Sequence, residues 1–185
     1  RLQSSQISLP TRLALEFLIL SACRTTEVLE ACWGEIKFDN HLWIIPAQRM
    51  KANKQHEVPL TDRMIEILEV AKSIRSDSGL IFPSQINGKA LSNNTLRLAL
   101  QKRLSVDATV HGMRSAFKDW AAETTIYANE VSEMALEHAI SSKVEAAYRR
   151  GNLMTKRKHM MAEWSDYVAG RQRRVVSLHQ QKERA

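Results

Sequence analysis

The stretch EIKFDNHLWIIPAQRMKANKQHEVPL, Glu35 to Leu60, decides the fold, because the apolar period of the chain changes there. Glu35–Phe38, Leu42–Pro46 and His56–Leu60 are short runs rich in β-branched and aromatic residues. Polar turns separate them, Asp39-Asn40 first and Ala47–Gln55 second. That pattern predicts three antiparallel strands forming one small sheet.

Everything outward from this stretch reads as helix. Upstream, Leu13, Phe17, Leu18 and Leu20 recur at helical spacing and Pro10 suits a first turn, which predicts a helix from Pro10 to Ala22. Thr25 or Thr26 is placed to cap a short helix ending at Ala31. Downstream, Thr61-Asp62 opens a helix through Ile74 that carries Met64, Ile67, Leu68 and Ala71 on one face. Ser92 caps another through Leu104, and Thr109 precedes a helix through about Glu123. Further helices are expected near 130–137, 142–150 and 155–169. The fold class is therefore α+β, mainly α, a helical domain with a small three-stranded antiparallel sheet. Residues 1–9 read as a linker, 10–170 as one domain and 171–185 as a basic C-terminal tail.

The chain of 185 residues is 44% hydrophobic, enough for a sizeable core, and carries a net charge of +7 with a pI near 9.6. Such a balance points to a polyanionic partner, nucleic acid first. The excess is local. Eleven Lys/Arg fall between Lys143 and Arg184. Cys23 and Cys32 form no CxxC and have no histidine at metal spacing, so they read as ordinary buried thiols of a reducing cytosol. No apolar run is long enough for a membrane span, and the opening RLQSSQISLP lacks the apolar core of a signal peptide.

Six residues, ordinary one by one, make a chemical set in order: Arg24, Lys51, His111, Arg114, His138 and Tyr148. Cutting a phosphodiester without a metal needs fixed donors around oxygens that gain charge, an attacking side chain and an acid for the departing ribose oxygen. Arginine is the best such donor because its planar fork stays charged and binds two oxygens at once. His111-Gly112-Met113-Arg114 sets two donors three residues apart at a helix start, on one face, where free N–H groups already attract anions. Arg24 emerges at the end of a long apolar helix, and Glu27, one turn on, is placed to orient it. Lys51 stands in the loop between two predicted strands, within reach of a backbone, and Lys54 shares that loop. His138 ends a helix.

Tyr148 lies in Ala146-Ala147-Tyr148-Arg149-Arg150, where small neighbours permit close approach and two arginines add DNA-binding charge. A phenol with a pKa of ~10 leaves far more readily than an alcohol. A phosphotyrosyl bond thus stores the energy of a cut and lets a free strand hydroxyl reverse it. Tyr127 and Tyr167 are weaker candidates: the first sits in a loop without basic neighbours, and packing suffices for the second. His56, on a strand beside Val58, and His41 read as non-catalytic.

At these residues the chain resembles the catalytic domains of the tyrosine recombinases, in particular those of bacterial prophage-type integrases. The likeness runs from about Leu13 to Ala169. It is carried by Arg24-x-x-Glu27, the hairpin from Lys51 through His56 to Val58-Pro59-Leu60, Thr109–Arg114 with Phe117-x-x-Trp120-Ala121, and His138 followed after nine residues by Tyr148-Arg149-Arg150. The last spacing is similar to the prophage subgroup, the general pattern being one residue shorter. The resemblance implies that Arg24 and Arg114 hold the scissile phosphate and that His111 and His138 assist in binding and proton handling. It further implies that Lys51 is the general acid and that Tyr148 forms a 3′-phosphotyrosyl link.

Two positions depart from the family pattern: Cys23 stands where many members carry glycine, and Glu137 where a small residue is common. A carboxylate beside His138 is expected to raise that histidine's basicity or to face solvent.

The resemblance implies a site-specific DNA recombinase acting without metal or other cofactor, integrating or excising a prophage or mobile element. Its implied partners are double-stranded attachment sites, a homo-tetramer on DNA and accessory DNA-bending or excision factors, in the cytoplasm of a bacterium with no membrane role. Members usually carry DNA-binding domains ahead of the catalytic one, so this chain is expected to be a C-terminal fragment whose tail after Gly170 packs on a neighbouring protomer. The alternatives are a topoisomerase-like strand-passing enzyme and a catalytically idle DNA-binding module of the same fold. A divalent-metal nuclease is disfavoured, because no carboxylate cluster accompanies the basic residues.

Overall fold

The computed structural model describes residues 7–138 and 151–171. Its elements are α1 (Leu9–Ser21), α2 (Thr25–Leu29), β1 (Ile36–Lys37), β2 (Leu42–Ile45), β3 (His56–Pro59), α3 (Asp62–Ala71), α4 (Asn93–Leu98), α5 (Gly112–Thr124), α6 (Asn129–Ala135) and α7 (Met154–Val168). Helices thus surround one three-stranded antiparallel sheet of order β1-β2-β3. The expected helix at 142–150 falls outside the described residues.

Helix α1 is the central post. Leu13, Ala14, Leu15, Phe17, Leu18 and Leu20 are all buried, so it is apolar around most of its girth, as a core helix must be. Pro10 sits in its first turn, where a missing N–H costs nothing. Ala22 ends it in the left-handed conformation, φ 52°, with its N–H bonded to the Leu18 carbonyl. Two apolar clusters meet along this helix. The larger joins α1 to the sheet, α3 and α4 through Phe17, Trp43, Phe82, Met64 and Leu96. The smaller joins Phe117 and Trp120 of α5, Val131 of α6 and Met160 and Trp164 of α7, and it includes Ala22. Ile19 packs against both clusters, and its carbonyl accepts the Trp164 indole N–H at 2.8 Å. The end of α1 therefore delivers Arg24 to the seam between the two cores.

The sheet follows the expected alternation. Trp43 and Ile45 of β2 face the core, with Trp43 opposite Ile36 and Val58, and Ile45 opposite His56. Strand β1 is shorter than the Glu35–Phe38 run suggested. Phe38–Asn40 tightens into a 3₁₀ turn and His41 takes φ 51°, so the chain turns before a third pair forms. Arg49 closes the β2–β3 loop onto α2 by donating to the Glu35 carboxylate and the Glu27 carbonyl.

Thr61 and Ser92 cap α3 and α4 as expected, accepting from Met64 N and Thr95 N. Before α5 the N-cap is His111, which makes no side-chain cap bond, and Thr109 two residues earlier accepts from Gly112 N at 2.9 Å. Helix α2 differs: its N-cap is Arg24 rather than a threonine. The Glu27 carboxylate reaches back to Arg24 N at 2.7 Å and satisfies the N–H of the N-cap residue itself, the N3 half of a capping box. Helix α4 gives way to a π-turn at Ala99–Arg103, which reaches almost to the expected end at Leu104.

Candidate active site

Arg114 projects from α5 and is only 6% exposed. Its guanidinium is a cross-brace. One nitrogen, Nη1, donates to the Ala22 carbonyl at 2.8 Å, and Nη2 donates to the Leu136 carbonyl at 2.6 Å. The two segments it joins carry the rest of the site, Arg24 two residues beyond Ala22, and Glu137 and His138 directly after Leu136. Burial, the largest influence, and the neighbouring Arg24 both act to lower the Arg114 pKa, and it lies below its ordinary value. The guanidinium nonetheless stays charged.

Arg24 faces Arg114 across this seam and is held between two carboxylates. Nη1 donates to Glu27 Oε1 at 2.7 Å and also to Glu137 Oε2. Burial works to lower its pKa, but the bonds from Glu137 and Glu27 outweigh it and the guanidinium is raised. Glu27 orients Arg24 as the sequence suggested. The position of Glu137 is a correction: its carboxylate neither meets the His138 ring nor faces solvent, but turns to Arg24. The carboxylate that meets His138 is Glu133, whose Oε2 lies 2.7 Å from Nδ1.

His138 is fixed from both sides of its ring, since Arg114 Nη2 lies 3.2 Å from Nε2. A guanidinium only donates, so Nε2 accepts and the ring proton sits on Nδ1 toward Glu133. Lys118, one turn after Arg114 on α5, extends this line from Arg114 through His138 and Glu133 by pairing with Glu133 at 2.5 Å. Burial acts to raise the Glu133 carboxyl, but Lys118 and His138 together hold it below its ordinary value.

Of these groups, Glu137 and His138 reach a cleft of about 610 Å³ that is also lined by Lys54, His56, Glu57, Asn152 and Arg157, among others. Both His138, after α6, and Asn152, before α7, line it. Asn152 Nδ2 donates to Glu57 Oε2 at 2.7 Å, and Arg157 of α7 donates to the Glu57 carbonyl. Those two bonds fasten the start of α7 to β3. His56 is buried and hydrogen-bonds the Ala135 backbone, while burial and then Arg157 push its pKa down to about 3. It is a neutral wall of the site, in keeping with a structural role.

The remaining expected residues are placed less closely. Lys51 is exposed in the turn between β2 and β3, and Lys54 of the same loop lines the cleft. His111 is exposed at the N-cap of α5, its carbonyl accepting from Arg114 N at 3.0 Å. Arg114 is buried, so the two side chains do not share one exposed face. Tyr148, Arg149 and Arg150 lie outside the described residues. Of the rival tyrosines, Tyr127 bonds Glu163 at 2.8 Å, and burial, then Glu163, raises its phenol to about 12. Tyr167 is half exposed and stacks on Trp164. Cys23 is fully buried, and burial, then Glu27, pushes its thiol up to about 12. The left-handed backbone beside it falls on Ala22, not on Cys23.

Sequence reasoning missed Glu133, Glu137 as a partner of Arg24, and Arg157. In the sequence Arg157 stood only as one of the eleven Lys/Arg near the chain's end, yet it is 3% exposed. Among the described residues no group of His, Cys, Asp and Glu is arranged to hold a metal ion, and no helix is long and apolar enough to cross a membrane.

The chain is 35% identical over 170 residues to the prophage integrase IntA of Escherichia coli K12, covering 90% of this chain and 41% of that protein. It is 30% identical to the integrase of Enterobacteria phage P4, covering 91% and 42% respectively. The chain therefore spans about two fifths of the length of these relatives. Its fold is similar to that of the Tn1549 transposon integrase, solved in complex with circular intermediate DNA, with a TM-score of 0.58 at 14% identity over 86% of this chain and 60% of that one. The pattern of the phage integrase family matches residues 2–153, which include every candidate site residue. The chain belongs to the phage integrase family.

Proposed function

We propose that this chain is the catalytic part of a site-specific DNA recombinase that cuts and rejoins strands through a 3′-phosphotyrosyl intermediate, integrating or excising a prophage or mobile element. The observation that carries the reading is the junction in which Arg114 ties the Arg24 segment to the Glu137-His138 segment, beside a cleft that His138 and Asn152 line. Tyr148 falls between those two residues in sequence, and four residues of chain reach at most about 14 Å, so the cleft is within its range of Asn152. The names of the relatives, prophage and phage integrases, support the same reading.

In this reading Arg24 and Arg114 embrace the non-bridging oxygens of the scissile phosphate, stabilising the charge that grows there. The Tyr148 phenolate oxygen attacks phosphorus, the bond to the 5′ oxygen breaks, and Lys51 gives that oxygen its proton. His138, its ring fixed by Glu133, and His111 at the start of α5 complete the set of donors and acceptors. Lys54, Arg149 and Arg150 contact the flanking DNA backbone, so affinity falls steeply with salt. The 5′ hydroxyl of a second strand then attacks the phosphotyrosine and reseals the DNA. Duplex attachment sites, a homo-tetramer on DNA, accessory bending or excision factors and a bacterial cytoplasmic setting follow from this reading.

A suicide DNA substrate incubated with the full-length protein tests it. A covalent adduct that forms in EDTA and disappears in Tyr148→Phe is the expected result. An adduct surviving that substitution overturns the tyrosine assignment, and loss of the adduct in EDTA overturns the metal-free mechanism.

A further inference from the structure

We propose that Glu137 is an internal occupant of the Arg24 anion site, a carboxylate that fills the place of the incoming phosphate and thereby sets how tightly the cleft takes DNA. The inference rests on reading the cleft as a phosphate site. Arg24 does not need Glu137 for orientation. Glu27 is nearly fully buried, bonds both the Arg24 backbone N–H and Nη1, and uses both of its oxygens in doing so. Glu137 is a second carboxylate on the same Nη1, and it spends only Oε2 there. Its Oε1 is buried without a partner. An ionised oxygen left unpaired is an unfavourable arrangement that a structural ion pair normally avoids.

The backbone points the same way. Glu137 sits at φ 54°, a left-handed conformation that a side chain disfavours and glycine accepts. Charge arithmetic completes the argument. Arg24 and Arg114 carry two positive charges, and Glu27 and Glu137 carry two negative ones. A phosphodiester carries one negative charge, so it replaces Glu137 one for one, whereas phosphate and Glu137 together leave the site with excess negative charge. Because Glu137 lines the open cleft beside His138, it has room to swing out.

The test compares binding of inorganic phosphate, followed by NMR titration, and of a short DNA duplex, followed by fluorescence anisotropy at fixed salt. Glu137→Gln is expected to bind both probes several-fold more tightly than the unmodified chain. Glu69→Gln makes the same charge change on α3, outside the cleft, and is expected to leave both affinities nearly unaltered. Glu137→Gly, which suits the left-handed backbone, gives the same gain and keeps the test available if the glutamine variant is unstable. Equal or weaker binding in both Glu137 variants overturns the proposal, because the carboxylate would then be supporting Arg24. The same gain in Glu69→Gln also overturns it, as a generic charge effect. Arg24→Gln isolates the underlying reading: if it binds phosphate as well as the unmodified chain does, the phosphate site itself is wrong.

Discussion

Arg114 shows why a guanidinium, and not merely a positive charge, is needed at the seam. Its two nitrogens hold the carbonyls of Ala22 and Leu136 and so bring the Arg24 and His138 segments together. Lysine keeps the charge but lacks the fork. Arg114→Lys is therefore expected to cost about 2–3 kcal/mol in a urea melt, since buried bonds from a charged donor are lost, and to abolish adduct formation on the suicide substrate. A melt unchanged from the parent would show that the brace carries no structural load.

His56 makes a second residue-scale prediction. Its folded pKa of about 3 lies below the ~6.5 of the unfolded chain, so below that value the unfolded state binds the extra proton. Stability is then fully present above about pH 6.5 and falls as pH drops from there toward 3, with a limiting slope from this residue of about 1.4 kcal/mol per pH unit. Urea melts between pH 7.5 and 4.5 are expected to show that slope in the parent and a shallower one in His56→Gln. Equal slopes would contradict the buried neutral imidazole.

At the scale of elements, much was legible in the sequence. Leu13, Phe17, Leu18 and Leu20 announced α1, and the Thr61 and Ser92 caps marked the starts of α3 and α4 because side-chain capping is local chemistry. What was not legible is non-local. Glu137 pairs with Arg24 across 113 positions of sequence, and Arg157 reaches Glu57 across 100. Ile81 and Phe82 are fully buried, yet they sit between isolated bridges at Leu80 and Pro83 with no period to reveal them. The Asn152–Glu57 bond belongs to this scale too, because it pins the chain just after the Tyr148 segment to β3. Asn152→Ala is expected to cost less than about 1 kcal/mol of stability, as one exposed hydrogen bond, but to slow adduct formation by about 10-fold or more through misplacement of the nucleophile. Single-turnover cleavage rates check this, and a parental rate would show that the bond does not position the tyrosine.

At the scale of the whole molecule, the site exists because two cores meet at the end of one helix. Phe17 anchors the larger core with ring centroids 5.5 Å from both Trp43 and Phe82. Phe17→Ala is expected to cost about 3–5 kcal/mol in equilibrium unfolding. The basic excess near the chain's end suits a polyanion, in keeping with the DNA substrate proposed above. Covalent mapping measures the central claim most directly: trap the adduct with full-length protein, digest the DNA and protein, and find the peptide that retains nucleotides. Cleavage by trypsin after Lys143 and Arg149 would leave them on residues 144–149, which contain Tyr148. Nucleotides on residues 119–143, which contain Tyr127, or on 159–171, which contain Tyr167, would contradict the account.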